Sequence, residues 1–386
     1  MRIRQARGFF AAAATVCGLV AGATGVVGGQ APSAPGQLLA GQVFKNVQVL
    51  KDVPADDFLT VMGLMTAAVG GDCSECHLYA GTAKVDWAAD TATKSMARKM
   101  SAMVLGINRD SFGGRPVVSC WTCHRGRSRP MATPMLDTVY GTPALEPDDF
   151  VPSTAPGLPA PETIIDRYLE ALGGAKKLNS VTSFTATGTS LGFRGFGGGG
   201  SVQIYAKRPD QRSVIIEYKN TPGRDATVRS YDGTSGWIKT PLNVLGEYQL
   251  SGSELDGARL DAQLTFPDQI KQVLTRLRTL DPDEINGTEV DVVQGNGPRS
   301  LFATLYFDKA TGLLVRSVRY GSSPIGRLPT QVDYSDYRDV GGIKVPFKFT
   351  FTWLDGRDVF QLDNARVNVP IEVSKFGRPA SLEQRK

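Results

Sequence analysis

Histidine is almost absent from this sequence: His77 and His124 are the two copies among 386 residues. Beyond residue 124 the chain has neither histidine nor cysteine, which excludes Ser–His and Cys–His nucleophilic chemistry from its larger part. Long runs of one charge sign are also missing. Lys and Arg number 43 against 38 Asp and Glu, and a net charge of +5 so evenly spread gives no support to nucleic-acid binding. With 41% hydrophobic and 21% charged residues, the composition excludes wholesale disorder and a multi-span membrane protein. At roughly 150 residues per domain, the length calls for two domains and connecting segments.

Residues 1–30 read as a secretory signal peptide. Arg2, Arg4 and Arg7 precede an uncharged Ala/Gly/Val-rich run, and Ala21-Gly22-Ala23 offers a small-residue cleavage site. The run is nearly long enough for an uncleaved anchor of ~20 residues, although its glycines and alanines favour cleavage. Cys17 follows Val16 rather than the small residue of a lipoprotein signal, and belongs to the apolar segment. A periplasmic or otherwise exported location is expected, with membrane association through the N-terminus left open.

The segment 38–130 is helical in pattern. In "PADDFLTVMGLMTAAVGG" Phe58, Met62 and Met65 share one face and Gly70-Gly71 ends the helix. "TKSMARKMSAMVLGIN" places Met96, Met100, Met103 and Ile107 on one face. Residues 131–161 are proline-rich and read as an extended linker. From 162 to 380, a short helix "ETIIDRYLEALGG" gives way to alternating strands, clearest in "VPFKFTFTW". Turn pairs at Asp232-Gly233, Asn286-Gly287, Thr311-Gly312, Gly341-Gly342 and Asp355-Gly356 imply antiparallel hairpins. "FPDQIKQVLTRLRTL" reads as one more helix, and the Gly-rich run 192–200, which lacks the Lys-Ser/Thr ending of a phosphate loop, as a hairpin loop.

Both histidines directly follow a Cys-x-x-Cys pair. Cys73-Ser-Glu-Cys76-His77 and Cys120-Trp-Thr-Cys123-His124 match the pattern of c-type haem attachment. Two thiols three positions apart can each form a thioether to one haem vinyl group, and the next residue then presents an imidazole to the iron. Two covalently bound c-type haems are expected, with His77 and His124 as proximal ligands.

Zinc, disulfides and a thioredoxin-like pair are the competing readings. The separation of Cys76 from Cys120 is much longer than ribbon spacing, and none of the three requires a His after each pair. Because both imidazoles are used, bis-histidine ligation within one chain is excluded. The sixth ligand is Met, another weak donor, water or nothing, and the segment supplies Met62, Met65, Met96, Met100 and Met103. Methionines at helical spacing are also ordinary core filling. Trp121 is expected against a porphyrin edge, and Arg125, followed by Arg127 and Arg129, is a candidate partner for a propionate.

Residues from about Phe44 to Pro130 resemble the cytochrome c subunit of photosynthetic reaction centres and its smaller relatives in non-photosynthetic bacteria. The resemblance rests on the helix ending before "GGDCSECH", on "KSMARKM" with Asn108 beyond it, and on "VSCWTCHRG". It implies that each haem takes a Met from the helix preceding its own motif: Met62 opposite His77 and Met100 opposite His124, with Met65 and Met103 one turn further on. The reaction-centre subunit binds four haems where this chain has two motifs, which implies a dihaem relative with a different redox partner.

The C-terminal part, with its helix, Gly-Gly stop, "YDGTSGW" and "LYFDKATGLLVRSVRY", is similar to exported half-barrel domains of the lipoprotein-carrier kind. The expected fold class is thus multidomain, a mainly α c-type cytochrome domain followed by a mostly antiparallel β domain, a curved sheet or half-barrel with helices. The expected function is single-electron transfer by an exported dihaem cytochrome, with a β domain that binds a partner or an apolar ligand. A peroxidase-like haem enzyme with one open coordination site, and an envelope carrier with redox-regulating haems, are the alternatives.

Overall fold

The structure is a computed structural model that describes residues 38–380, apart from residues 83, 137–138, 140–152, 155, 193–198, 219–224, 242–244 and 298–300. The expected signal segment 1–30, much of the proline-rich linker and most of the Gly-rich loop lie outside the described residues.

The N-terminal part is helical: α1 (Ala40–Val43), α2 (Ala55–Val69), α3 (Ala92–Phe112) and the short α4 (Cys120–His124). Pro54 sets the start of α2, and Gly70 ends it in the left-handed conformation at φ 71°. Thr91 caps α3 by accepting from the Lys94 N–H at 3.1 Å. No helix among the described residues is long and apolar enough to cross a membrane.

Neither long helix buries the face that its methionines mark. In α2 the fully buried apolar residues include Val61, Leu64 and Ala68, while Phe58, Met62 and Met65 are half-buried, with Met62 and Met65 at the edge of the same core. In α3 the buried positions are Ser101, Val104 and Asn108, and Met96 and Met103 are each 51% exposed. In α2 two overlapping sets of apolar residues repeat with the helical period, and in α3 the buried set is mostly polar, so periodicity alone does not pick out the buried positions.

The C-terminal part holds β1 (Ser183–Ser190), β2 (Gly200–Lys207), β3 (Gln211–Glu217), β4 (Thr227–Tyr231), β5 (Gly236–Lys239), β6 (Glu247–Gln249), β7 (Thr275–Ile285), β8 (Thr288–Asn296), β9 (Phe302–Asp308), β10 (Leu314–Ser323), β11 (Gly326–Val340), β12 (Ile343–Trp353) and β13 (Gly356–Val367). All 13 form one sheet in the order β6-β5-β4-β3-β2-β1-β13-β12-β11-β10-β9-β8-β7. Two antiparallel meanders, β1 to β6 and β7 to β13, join where β1 pairs with β13. Four of the five turn pairs read from the sequence lie between consecutive strands, and the fifth, Asp355-Gly356, spans the end of a turn and the first residue of β13. In β12 (Ile343–Trp353) Val345 and Phe347 are buried while Lys344 and Lys348 are exposed, as the alternation requires.

Helices α5 (Pro161–Ala171) and α6 (Ala175–Ser180) lead into this sheet, and Ile164, Ile165, Tyr168, Leu169 and Leu172 join its main core. The end of the proline-rich segment lies along β7, where the Thr279 hydroxyl donates to the Pro159 carbonyl at 2.7 Å. Helix α7 (Gly252–Leu264) touches β3 and β4 of one meander and β10 (Leu314–Ser323) of the other, which the curvature of the sheet allows. The helix expected over "FPDQIKQVLTRLRTL" is much shorter. After a 3-10 turn, α8 spans only Ile270–Val273, and from Thr275 the chain is strand β7, because its backbone groups pair with β8 (Thr288–Asn296) instead.

The two parts are packed together. Val61, Leu64 and Val104 share a core with Ile325 and Leu328 of the β10–β11 hairpin. Asp56 at the start of α2 accepts from the Ser251 N–H at 2.5 Å and from its hydroxyl at 2.6 Å. Gly63 admits the Trp353 ring, since a Cβ there would stand 2.6 Å from it.

Candidate haem site

The first motif forms a 3-10 turn, Cys73–Glu75, capped by Asp72, whose carboxylate accepts from the Ser74 N–H at 2.7 Å. The His77 N–H then donates to the Cys73 carbonyl at 2.9 Å, placing the imidazole on the same turn as the two thiols. The ring meets the edge of Trp87 with centroids 5.1 Å apart. Burial, aided by the nearby Lys94 ammonium, pulls the His77 pKa below its ordinary value and keeps the ring neutral. Its Nδ1 is buried without a hydrogen bond of normal geometry. The Trp87 carbonyl close by favours the charged ring only weakly, being already bonded to Lys94 Nζ at 2.8 Å.

The second motif is the single turn α4. Ser119 and Thr122 close a reciprocal capping box at its start, and Arg125 ends it in the left-handed conformation. His124 is buried, and its Nδ1 lies 2.9 Å from the Arg127 carbonyl. In that pairing Nδ1 carries the proton and donates, which leaves the Nε2 lone pair available to a metal. Asn108 steers the chain into this motif through two bonds with Val118, at 2.7 and 2.8 Å.

Both motifs open onto one cavity of about 890 Å³, near the upper end of the ~300–1,000 Å³ of cofactor sites. Cys73, Cys76, His77, Cys120 and His124 line it, as do Met62, Met65, Met96 and Met100. Met62 and Met65 of α2 and Met96 and Met100 of α3 are therefore part of the cavity walls. Met103 is exposed and is not brought to this cavity, and Cys123, Trp121 and Arg125 lie on its outer side, exposed. Arg98, between the methionines of α3, is held by Asp90 at 2.6 Å and by the Asn46 carbonyl at 3.0 Å.

The donor set fits a c-type haem. None of the four described cysteines is paired in a disulfide, and burial raises the pKa of the Cys73, Cys76 and Cys120 thiols. Among the described residues no group of three or more His, Cys, Asp or Glu side chains converges as a zinc site would require. What sequence reasoning missed is the far wall. Arg229, Tyr248, Arg319, Thr330, Trp353 and Asp355 of the β domain line the same cavity, and only the curvature of the sheet brings them there.

Residues 19–142 match the family described as photosynthetic reaction centre cytochrome C subunit. The reaction-centre cytochrome c subunit of Thermochromatium tepidum is 35% identical over 96 residues, which is 24% of this chain and 22% of that protein. The corresponding subunit of Roseobacter denitrificans is 33% identical over 126 residues, 29% of this chain and 34% of the relative. The chain thus spans between about a fifth and a third of the length of these relatives. Among solved structures, a LolA superfamily protein from Nitrosomonas europaea aligns with 57% of this chain and 99% of its own, at 16% identity and TM-score 0.38. A DUF1329 family protein from Desulfovibrio piger aligns with 56% of this chain and 96% of its own, at 13% identity and TM-score 0.38.

Proposed function

We propose that this chain is an exported dihaem c-type cytochrome that passes single electrons between redox partners. The observation that carries the reading is that Cys73, Cys76, His77, Cys120 and His124 line one cavity together with Met62, Met65, Met96 and Met100. Each haem, once attached, supplies a one-electron iron centre. Cys73 and Cys76 tether one group and Cys120 and Cys123 the other, while His77 and His124 each offer a neutral imidazole nitrogen.

Met62 and Met100 are the proposed sixth ligands, for the haems on His77 and His124 respectively. With a Met thioether and a His imidazole as its two protein ligands, each haem would favour the reduced iron and leave no site for a substrate, which suits electron transfer. Phe58, stacked on Phe44 at 5.4 Å, and Trp353 help to exclude water from the cavity. The β domain completes the cavity wall, and a redox partner would be met on the outer side, where Trp121 and Cys123 lie exposed.

The optical spectrum of the reduced holoprotein tests this reading. Two low-spin haems that do not respond to carbon monoxide are expected. A high-spin haem that binds carbon monoxide would instead support the peroxidase-like alternative.

A further inference from the structure

The β-domain wall of the cavity carries two arginines, Arg229 and Arg319, and two carboxyls, Glu254 and Asp355, of which burial pushes Asp355 toward the neutral acid. Arg229 on β4 (Thr227–Tyr231) lies 3.3 Å from Glu254 Oε2. Arg319 on β10 lies 3.4 Å from Asp261 Oδ1, and the same carboxylate offsets part of the burial cost of Arg212. Asp261 is thereby shared between Arg319 and Arg212. On α2, Asp56 lines the cavity and Asp57 is next to it in sequence, but burial pushes both toward the neutral acid, and Asp56 is already bonded to Ser251.

Arg319 is the residue this leaves unanswered. Its side chain is 5% exposed, and neither Nε nor Nη2 has a hydrogen-bond partner. It threads beneath α7 at Gly257, where any Cβ would collide with the guanidinium, so the helix is shaped around it. A buried guanidinium on a cavity wall, answered only by one long contact to Asp261, keeps hydrogen-bonding capacity for a second carboxylate. Lys94 and Arg98, which also line this cavity, are engaged elsewhere: Lys94 donates to the Trp87 and Ala89 carbonyls and Arg98 to Asp90. Tyr248, whose pKa burial raises, keeps its phenol proton and adds a donor to the same wall, and Thr330 adds a hydroxyl.

We propose that Arg319, with Arg229 beside it, binds a carboxylate in this cavity, and that the carboxylate is a haem propionate. The β domain then supplies part of the cofactor site. The polarity of the cavity matches the cofactor: the thiols that meet the vinyl edge lie on one wall and the arginines on another, and in haem the propionates lie on the side away from the vinyl groups. This inference rests on the cytochrome reading above.

The test uses full-length holoprotein carrying Arg319→Gln, Arg319→Lys or Arg229→Gln, with haem content measured by pyridine haemochrome and both midpoint potentials followed against pH. Arg319→Gln should keep its covalent haems, because the thioethers are untouched, yet one potential should fall and become pH-dependent near neutrality. Losing a cation beside a propionate favours the oxidised iron and raises the propionate pKa. Arg319→Lys should stay near wild type, and Arg229→Gln, on the more exposed side of the pair, should lower the same potential even if Arg319→Gln does not fold. Two attached haems with unchanged potentials in both Gln variants would overturn the proposal. So would a wild-type potential that responds to added hexanoate through Arg319, which would assign the arginine to a free acid. A wild-type chain without covalent haem would instead overturn the cytochrome reading itself.

Discussion

Gly70 and Gly126 lie back to back. A Cβ on Gly70 would collide with the Gly126 carbonyl oxygen, and the Gly126 N–H donates to the Ala68 carbonyl at 2.9 Å. The turn that introduces the first Cys-x-x-Cys-His motif is thereby locked to the turn that follows the second. The two motifs are adjacent because two backbones touch where neither residue carries a side chain.

This contact predicts unequal costs for two similar substitutions. Gly113 is also left-handed, at φ 61°, but open space surrounds its missing Cβ. Gly113→Ala should therefore cost only the conformational penalty of about 1–2 kcal/mol. Gly70→Ala should cost at least about 1 kcal/mol more, because it adds a backbone collision. Urea unfolding of both variants of the holoprotein checks the difference.

The clamp between the two parts should be just as measurable. Ser251→Ala removes the hydroxyl that donates to the buried Asp56 carboxyl, at an expected loss of about 1–3 kcal/mol. Asp56→Asn in the Ser251→Ala background should recover part of that loss. A double-mutant cycle by denaturant unfolding measures the coupling.

Asp57 makes stability depend on pH. Burial, then the charges of Asp56 and Glu254, push its pKa up to about 8 from an ordinary 3.8. A carboxyl raised in the folded state stabilises fully below its unfolded pKa and loses that contribution as pH rises through the folded value. Stability should fall between pH 4 and 8 by up to about 1.4 kcal/mol per unit from this group. Asp57→Asn should flatten the curve across that window, as followed by unfolding at a series of pH values.

The axial ligands are separable by potentiometry. Met62→Ala and Met100→Ala should each lower the potential of one haem, a different haem in each case. Met103→Ala should leave both unchanged, since that side chain is exposed away from the cavity. A fall caused by Met65→Ala in place of Met62→Ala would move the first ligand one turn along α2.

The motifs were legible because thioether chemistry dictates a local spacing, and the hairpins because Asp232-Gly233 and its counterparts need backbone conformations that few other pairs tolerate. The core face of α2 was not, because Val61, Leu64 and Ala68 repeat with the same period as Phe58, Met62 and Met65. The strand after Val273 was hidden for a related reason: Leu277 and Leu280 fit a helical face as well as an extended edge. The arginine wall was out of reach altogether. Gly257, Asp261 and Arg319 acquire their meaning only from a helix laid across distant strands.

The central claim is two covalent haems on two motifs. The most direct test is the mass of the denatured chain after expression with a cytochrome c maturation system, for the wild type and for Cys73→Ser/Cys76→Ser and Cys120→Ser/Cys123→Ser. The account predicts a gain of two haem masses in the wild type and of one in each variant. A wild-type chain at its bare polypeptide mass, or both variants still carrying two haems, would contradict it.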